Sequence, residues 1–370
     1  MKAGWQVKKL GEVCRIRTGK KDVNEGNPNG TYPFFTCAAV HTYSDSYSFD
    51  TEALLVAGNG DVGNVSYYSG KFEAYQRTYV LSEFYDVVPR FLYLILDGKL
   101  KASVSKQKLG NTMPYIKMGM LTDFLLPLPP LTEQQRIVAI LDEAFESIAT
   151  AKLSAEQNLK NARELFDSYL QSVFTQRGEG WVKKKLGEVC NFIGGSQPPK
   201  SNFLKEPHQD AIRFIQIRDY KSDDHIVYVP KRLAKRFCNE DDIMIGRYGP
   251  PVFQILRGLT GAYNVALMKA VPNENEITKD YLYYFLKHRD VQEYVIKLSS
   301  RAAGQSGLNK ETIEPYCISY PALDQQVSIV RVIDALSAET QRLEAIYKQK
   351  IAVLDELKQS LLQKAFAGEL

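Results

Sequence analysis

The chain contains two copies of one sequence pattern, arranged one after the other. Nine of the eleven residues in 4–14 recur in 180–190, at an offset of 176 positions. Further matches follow at offsets of 188, 190 and 192, which indicates insertions in the second copy. A chain of 370 residues exceeds what one hydrophobic core usually holds. We therefore predict two similar domains related by an internal pseudo-twofold axis.

Two acidic stretches, one at the end of each copy, indicate long helices. Residues 133–174 contain neither proline nor glycine, and apolar residues recur there at alternating steps of four and three. This is the heptad repeat of a coiled coil, with one extra four-residue step after Ala151. The second copy repeats the spacing at an offset of 192. These positions form the predicted seam: Ile137, Leu141, Ala144, Ile148, Ala151, Ala155, Leu159, Ala162, Phe166, Tyr169 and Val173, then Ile329, Ile333, Leu336, Thr340, Leu343, Tyr347, Ile351, Leu354, Lys358, Leu361 and Ala365.

A narrow apolar seam on a helix of this length requires a partner helix, and the other copy supplies one. We predict an α+β fold, with two similar mixed α/β domains separated by two long helices that form an antiparallel coiled coil. The alternative is a helical hairpin packed on a globular core. The predicted ranges are 1–128 for the first domain, 129–177 for the first helix, 178–320 for the second domain and 321–370 for the second helix.

Charge is distributed unevenly along the chain. Residues 1–128 hold 15 basic and 12 acidic side chains, and residues 178–320 hold 21 and 17, whereas both helical segments are net acidic. A basic domain suits a polyanionic partner such as DNA. An ordinary solvated surface has a similar balance, so charge alone does not decide between the two.

Several classes of protein are excluded by what the sequence lacks. It has neither an apolar run of membrane-spanning length nor a signal-peptide core, so we expect a cytoplasmic protein without membrane contact. Five cysteines without Cys-x-x-Cys spacing and four scattered histidines predict neither a disulfide framework nor a metal site. Residues 58–63 have Gly-x-Gly-x-x-Gly spacing, but a strand-like stretch follows where a dinucleotide site needs a helix.

Repeated motifs carry a family resemblance. Gly-Trp followed by Leu-Gly-Glu-Val opens each copy, and Leu-Pro-Leu-Pro-Pro-Leu-Thr-Glu-Gln-Gln-Arg-Ile-Val at 126–138 opens the first long helix. Its counterpart begins Tyr-Pro-Ala-Leu-Asp-Gln-Gln at 320–326, a departure that predicts a slightly shifted start for the second helix. This order of motifs, present twice over the whole chain, resembles the specificity subunits of type I restriction–modification systems.

The resemblance implies a subunit that recognises double-stranded DNA at a bipartite, asymmetric target and has no catalytic residues. It implies two modification subunits, which bring S-adenosylmethionine and methylate adenine at N6, and restriction subunits, which bring ATP and magnesium; the chain itself binds no cofactor. The chain also lacks the Asn/Asp-Pro-Pro-Tyr/Phe motif of adenine-N6 methyltransferases. The alternative function is a coiled-coil scaffold that assembles partners without reading DNA sequence.

Candidate DNA contacts are basic, amide and hydroxyl side chains in loops or on variable faces, because most contacts reach phosphates and a few read base edges. For the first domain we predict Arg15, Arg17, Lys20, Lys21, Asn59, Arg77, Lys106, Lys108 and Thr112. For the second domain we predict Lys200, Arg218, Arg247, Tyr248, Arg301, Gln305 and Ser306.

Overall fold

The computed structural model describes residues 4–105, 114–175, 178–249, 251–299 and 307–370. The chain forms two compact units. The first unit comprises Met1–Gln157 with Tyr347–Leu370, and the second comprises Asn158–Ile346. Each unit therefore contains one of the two predicted domains together with a part of each long helix. The predicted fold class, α+β with two similar domains and two long helices, is confirmed.

The first unit is built on a six-stranded sheet with the order β2-β7-β5-β6-β3-β4. Its core packs helix α2 against this sheet, around Phe91, Leu92 and Ile95. Its elements are β1 (Gln6–Lys9), α1 (Leu10–Val13), β2 (Arg15–Thr18), β3 (Tyr32–Phe35), β4 (Thr42–Ser44), β5 (Phe49–Ala57), β6 (Val65–Ala74), β7 (Thr78–Ser82), α2 (Pro89–Ser105), α3 (Met118–Thr122), β8 (Leu125–Leu128) and the first part of α4 (Leu131–Thr175).

The second unit divides the same arrangement between two four-stranded sheets, β10-β17-β14-β15 and β12-β11-β16-β13. Its elements are β9 (Val182–Lys185), α5 (Leu186–Val189), β10 (Cys190–Gly194), β11 (Ala211–Ile215), β12 (Tyr228–Pro230), β13 (Phe237–Cys238), β14 (Ile243–Gly246), β15 (Gln254–Leu256), β16 (Gly261–Tyr263), β17 (Leu267–Pro272), α6 (Lys279–Lys287), α7 (Arg289–Ser299), α8 (Lys310–Ile313), β18 (Cys317–Tyr320) and the first part of α9 (Leu323–Ala367).

The repeated opening motif closes each domain on itself. Strand β1 pairs antiparallel with β8, and β9 pairs antiparallel with β18, so the start of each domain lies beside its end. The Glu of each Leu-Gly-Glu-Val, Glu12 or Glu188, accepts a hydrogen bond from the backbone N–H of Lys9 or Lys185. This caps the short helix that follows. The identical residues at these positions therefore specify a structural closure.

Both units also share one parallel strand pair, although the sequence does not reveal it. The second half of β6 runs parallel to β3, and its counterpart β16 runs parallel to β11. Phe35 faces Ala74 in one register and Phe214 faces Ala262 in the other. Residues 31–50 and 202–236 show no similarity in sequence. The structure nevertheless places an equivalent aromatic strand in both.

Helices α4 and α9 pack side by side in each unit. In the first unit Lys152 pairs with Asp355 at 2.8 Å, and Arg136 donates to the carbonyl of Leu370 at 2.6 Å. The residue number on α9 falls as the residue number of its partner on α4 rises, so the two helices run antiparallel. All residues of the predicted seam are buried or half-buried. Even Lys358 lies against the Phe145 ring, at 5.1 Å from its centroid. No helix among the described residues is long and apolar enough to cross a membrane.

The two long helices begin at equivalent residues. Helix α4 begins at Leu131 and α9 at Leu323, which is the same 192-residue offset as in the rest of the helix. The predicted shift of the second start is therefore wrong. The carbonyl groups of Pro130 and Ala322 accept the first helical hydrogen bonds. A proline stands two residues before each start, at Pro129 and Pro321, and disfavours the helical conformation of the residue before it, so the start depends on the preceding chain more than on the 324–326 side chains.

A buried glutamine just after each start ties the long helix to its domain. The Gln134 side chain donates to the carbonyls of Asp86 and Pro129 and accepts from the N–H of Val88 at 2.8 Å. Gln326 repeats these contacts with the carbonyls of Glu276 and Pro321 and the N–H of Thr278. Both glutamines have no solvent exposure. The groups that they bond precede α2 and α6, so one amide joins the start of two helices.

Replacing either glutamine with leucine should destabilise its own unit. Gln134→Leu strands the Val88 N–H and two carbonyls, so we expect the free energy of unfolding to fall by about 2–4 kcal/mol. Trp5 lies in the first unit and Trp181 in the second. Denaturant unfolding can therefore be followed by tryptophan fluorescence in a Trp181→Phe background. The neighbouring exposed Gln135→Leu is the matched control. Equal stability of the two variants would contradict the role of Gln134.

Candidate nucleic-acid interface

Two predicted DNA contacts on strand β2 are paired within the protein. Arg15 forms an ion pair with Glu83 at 3.0 Å. Arg17 donates to the hydroxyl of Ser82 at 2.9 Å, and its guanidinium lies 3.5 Å from the same carboxylate. The Arg17 guanidinium also lies over the Phe49 ring. These contacts hold β2 against β7, so a phosphate would compete with Glu83 for both arginines.

Lys21 faces inward as the counter-ion of a buried carboxylate. Its ammonium group donates to Ser46 at 2.6 Å and to Ser44 at 3.0 Å, and it lies 3.6 Å from Glu73. Glu73 has no solvent exposure and also accepts from Ser48 at 2.8 Å. A buried carboxylate without a cation is costly. Lys21 therefore has a structural task, whatever its contact with DNA.

The other described candidates of the first unit leave their side chains available. Lys20 and Arg77 are exposed, and their side chains form no hydrogen bond or ion pair with any residue that the structure describes. Arg77 lies in the turn between β6 and β7, where its carbonyl accepts the N–H of Gly58. Asn59 is half-buried, and its backbone bridges to Tyr115. The turn that contains Gly58 and Asn59 is thus joined to the turn that contains Arg77 by a hydrogen bond.

Arg247 in the second unit is committed to internal acceptors. Its guanidinium donates to the carbonyls of Leu308 at 2.8 Å and Val265 at 3.1 Å, and to the side chain of Asn309 at 2.9 Å. It also lies 5.5 Å from the centroid of the Tyr248 ring. A bidentate contact with guanine needs two free donors on one edge of the guanidinium. The geometry gives Arg247 a positioning task, and its contact with DNA stays a prediction.

Exposed basic side chains are concentrated in the part of the second unit between β10 and β13. Lys200 and Arg218 are exposed there, as predicted candidates, and neither side chain forms a hydrogen bond or an ion pair within the described chain. Both lie on short 3₁₀ turns that flank β11. Sequence reasoning missed five further members of this set. These five lie in residues 202–236, which have no similar sequence in the first copy, so a search for basic residues in that range could have found them: Lys205, Lys221, Arg232, Lys235 and Arg236.

Tyr248 lies at the tip of the loop after β14, and 40% of its surface is exposed. Six other candidates lie outside the described residues, so their placement stays a prediction: Lys106, Lys108, Thr112, Arg301, Gln305 and Ser306.

The repeated cysteines fill space. Cys14 and Cys190 lie at equivalent positions in the cores of the two domains. Burial raises the pKa of both thiols to about 12. Both are therefore neutral at physiological pH and are poor nucleophiles. Across the described ranges, His, Cys, Asp and Glu side chains form no cluster that could hold a metal ion.

Arg247→Ala should destabilise the second unit. The change leaves the buried Leu308 carbonyl without its Arg247 donor and removes two further hydrogen bonds, so we expect the free energy of unfolding to fall by about 1–3 kcal/mol. Fluorescence of Trp181 in a Trp5→Phe background measures this unit alone. Arg218→Ala, at an exposed site, should change stability by less than about 0.5 kcal/mol. If both alanine variants unfold alike, Arg247 does not hold its loop.

Known proteins share this architecture. Residues 2–160 and 178–353 each match the type I restriction modification DNA specificity domain. The chain is 27% identical to the EcoDI specificity subunit of Escherichia coli, over 99% of this chain and 88% of that subunit. It is 19% identical to the MjaVIII specificity subunit of Methanocaldococcus jannaschii, over 99% and 93%.

Solved structures agree on the fold. A chain from a study of complex assembly and conformational transition in the type I R-M system superimposes with a TM-score of 0.79, at 21% identity, covering 100% of this chain and 99% of that chain. The HsdS subunit from Thermoanaerobacter tengcongensis superimposes with a TM-score of 0.62, at 21% identity, covering 100% and 98%. With its two matching domains, the chain belongs to the family of type I restriction–modification DNA specificity proteins.

Proposed function

We propose that this chain is a non-catalytic subunit that reads a split, asymmetric DNA target, one half with each unit, in the cytoplasm. The observation that carries the proposal is a duplicated framework whose intervening segments differ. Closure strands, buried glutamines and the parallel strand pair are equivalent in both units. The segments inserted between them differ in sequence and in charge pairing. Two domains that share a fold but present different side chains are suited to two different half-sites.

The charge difference supports this division. In the first unit Arg15 and Arg17 pair with Glu83, and Lys21 pairs with Glu73. In the second unit the basic residues around β11 and β12 are mostly exposed without ion pairs in the described chain. Unpaired cationic side chains that neutralise phosphates release the counterions condensed on DNA, and this release supplies affinity that does not depend on sequence. We therefore propose that the second unit contributes the larger part of the salt-dependent binding.

Selection from random double-stranded DNA tests the recognition proposal. The purified chain, with its modification subunits, should enrich two different half-sites of about 3–5 bp each. If both units lie on one face of the duplex, the half-site centres are about 10 bp apart. Roughly 5–7 unread base pairs then separate them. Enrichment of one continuous or palindromic site would contradict the proposal. No enrichment of any sequence would instead support a coiled-coil scaffold that does not read DNA.

The partners are proposed from a second repeated feature, an exposed surface on the long helices. Glu164, Ser168 and Gln171 of α4 line a groove of about 640 Å³ in the second unit. The equivalent Glu356, Ser360 and Gln363 lie together on an open face of α9 in the first unit.

An apolar side chain follows the glutamate in both cases. Leu165 is 69% exposed and Leu357 is 45% exposed. Because both copies of the repeat expose a leucine at this position, we infer that a partner covers it in each unit. Two equivalent surfaces suit two copies of one partner. We propose that each takes one modification subunit, which brings S-adenosylmethionine and the adenine-N6 methyltransferase activity. Restriction subunits with ATP and magnesium would join that complex, and this chain would bind no cofactor itself.

Charge introduced at these leucines should remove one partner at a time. Leu165→Glu and Leu357→Glu should each reduce the complex from two modification subunits to one, and the double variant to none. Native mass spectrometry of the co-purified complex measures this number. Leu153→Glu is the matched control, because Leu153 is also 69% exposed and its counterpart is Ala345. Retention of two subunits by both single variants would contradict this docking surface.

A further inference from the structure

In both units a backbone hydrogen bond joins the glycine-containing loop after one strand, β5 or β14, to the residues just before a short helix, α3 or α8. In the first unit the N–H of Ile116 donates to the carbonyl of Gly58 at 2.9 Å. In the second unit the N–H of Leu308 donates to the carbonyl of Arg247 at 2.9 Å. Ile116 and Leu308 are equivalent at the 192-residue offset, and both are buried. We call this feature the loop clamp: residues 58–60 with 115–116, and residues 246–248 with 307–308.

The clamp is stabilised at the same carbonyl in both units, but by different side chains. The carbonyl of Ile116 accepts from the hydroxyl of Tyr79 at 2.9 Å. The equivalent carbonyl of Leu308 accepts from the Arg247 guanidinium at 2.8 Å. A buried carbonyl without a donor costs free energy. Two unrelated solutions for one acceptor indicate that the geometry of the clamp is required, while its side chains have diverged.

Besides the glycine shared by both loops, Gly58 or Gly246, each clamp has a tyrosine on one side where the other clamp has a glycine. Tyr248 in the second unit is equivalent to Gly60 in the first, and Tyr115 is equivalent to Gly307. The Tyr248 ring lies so close to Gly307 that a Cβ there would be 2.2 Å from its Cε1 atom. In the first unit Gly60 adopts a φ of +64°. The tyrosine has therefore changed sides between the units while remaining at the clamp.

Neither tyrosine is used by its own core. Tyr248 is exposed and Tyr115 is half-buried. Neither hydroxyl forms a hydrogen bond with any described residue, whereas the buried Tyr79 and Tyr281 hydroxyls both donate to backbone carbonyls. A tyrosine on a fixed backbone presents a large amphipathic surface at little cost in conformational entropy. Its hydroxyl can donate to a phosphate oxygen, and its ring can contact a base edge or a sugar.

We propose that Tyr115 and Tyr248 are the tyrosine contacts that the two clamps make with DNA, one in each half-site. The proposal rests on the function proposed above and adds Tyr115, which sequence reasoning missed. Because the two rings come from opposite sides of equivalent clamps, they contact different positions of their half-sites. This arrangement lets one framework place its aromatic contact at two alternative points.

The test compares Tyr115→Ala and Tyr248→Ala in the complex with modification subunits, by selection from random DNA and by affinity for the wild-type target. Tyr115→Ala should weaken binding roughly tenfold; a lost base contact also alters preference in one half-site alone, whereas a lost phosphate contact weakens all sequences alike. Tyr248→Ala should do the same in the other half-site. Tyr115→Phe and Tyr248→Phe identify the group in contact. Loss with phenylalanine indicates the hydroxyl, and loss with alanine alone indicates the ring.

Tyr85→Ala is the control, because Tyr85 is 55% exposed and lies away from the clamp in the sequence. It should leave affinity and preference unchanged. Wild-type preference and affinity in both alanine variants, with unchanged thermal unfolding, would overturn the inference while leaving the proposed function intact. Altered preference in both half-sites from either single variant would also overturn it. Failure of the wild-type complex to select any sequence would instead remove the proposed function.

Discussion

The side-chain amides of Gln134 and Gln326 hold each domain to its long helix. Each is excluded from solvent and bonded to three backbone groups, two carbonyls and one N–H. A glutamine amide offers two donor hydrogens and an acceptor oxygen at the end of one flexible side chain, which neither leucine nor an ionised glutamate can do. Because the bonded groups precede α2 and α6, the amide sets where the domain core begins relative to the long helix. The opening and closing strands then pair beside it.

The seam between α4 and α9 accommodates a long polar side chain because the apolar part of that side chain can still cover apolar surface. Lys358 occupies a seam position, where the residue is half-buried and its ammonium lies over Phe145. Long cationic side chains cover apolar surface while their charge reaches solvent. Lys152 pairs with Asp355 in the first unit, and Arg163 pairs with Glu344 in the second. These exposed pairs add little energy, but they favour antiparallel registry over slipped alternatives.

The two units differ in how they use positive charge. Arg15, Arg17 and Lys21 support the sheet of the first unit through Glu83 and the buried Glu73. In the second unit Arg247 supports a loop and Arg213 of β11 pairs with Asp223, while most of the other basic residues around β11 and β12 are exposed. A basic residue in the sequence therefore has two possible uses, and the nearest acceptor decides between them. In this protein net charge describes the domains less well than the pairing of each cation.

The sequence by itself determined the duplication, the α+β class and the two long helices. Repeated residues, absent prolines and a 3.5-residue apolar period are local properties that need no knowledge of neighbours in space. Tertiary structure alone decided that β3 and β11 are equivalent, since the strand pairing that relates them joins residues distant in the chain. It also decided that Arg247 is bonded internally and that Tyr115 and Tyr248 share one clamp. Such facts depend on which acceptor or ring lies nearby after folding. The spacing of residues along the chain does not determine these distances in space.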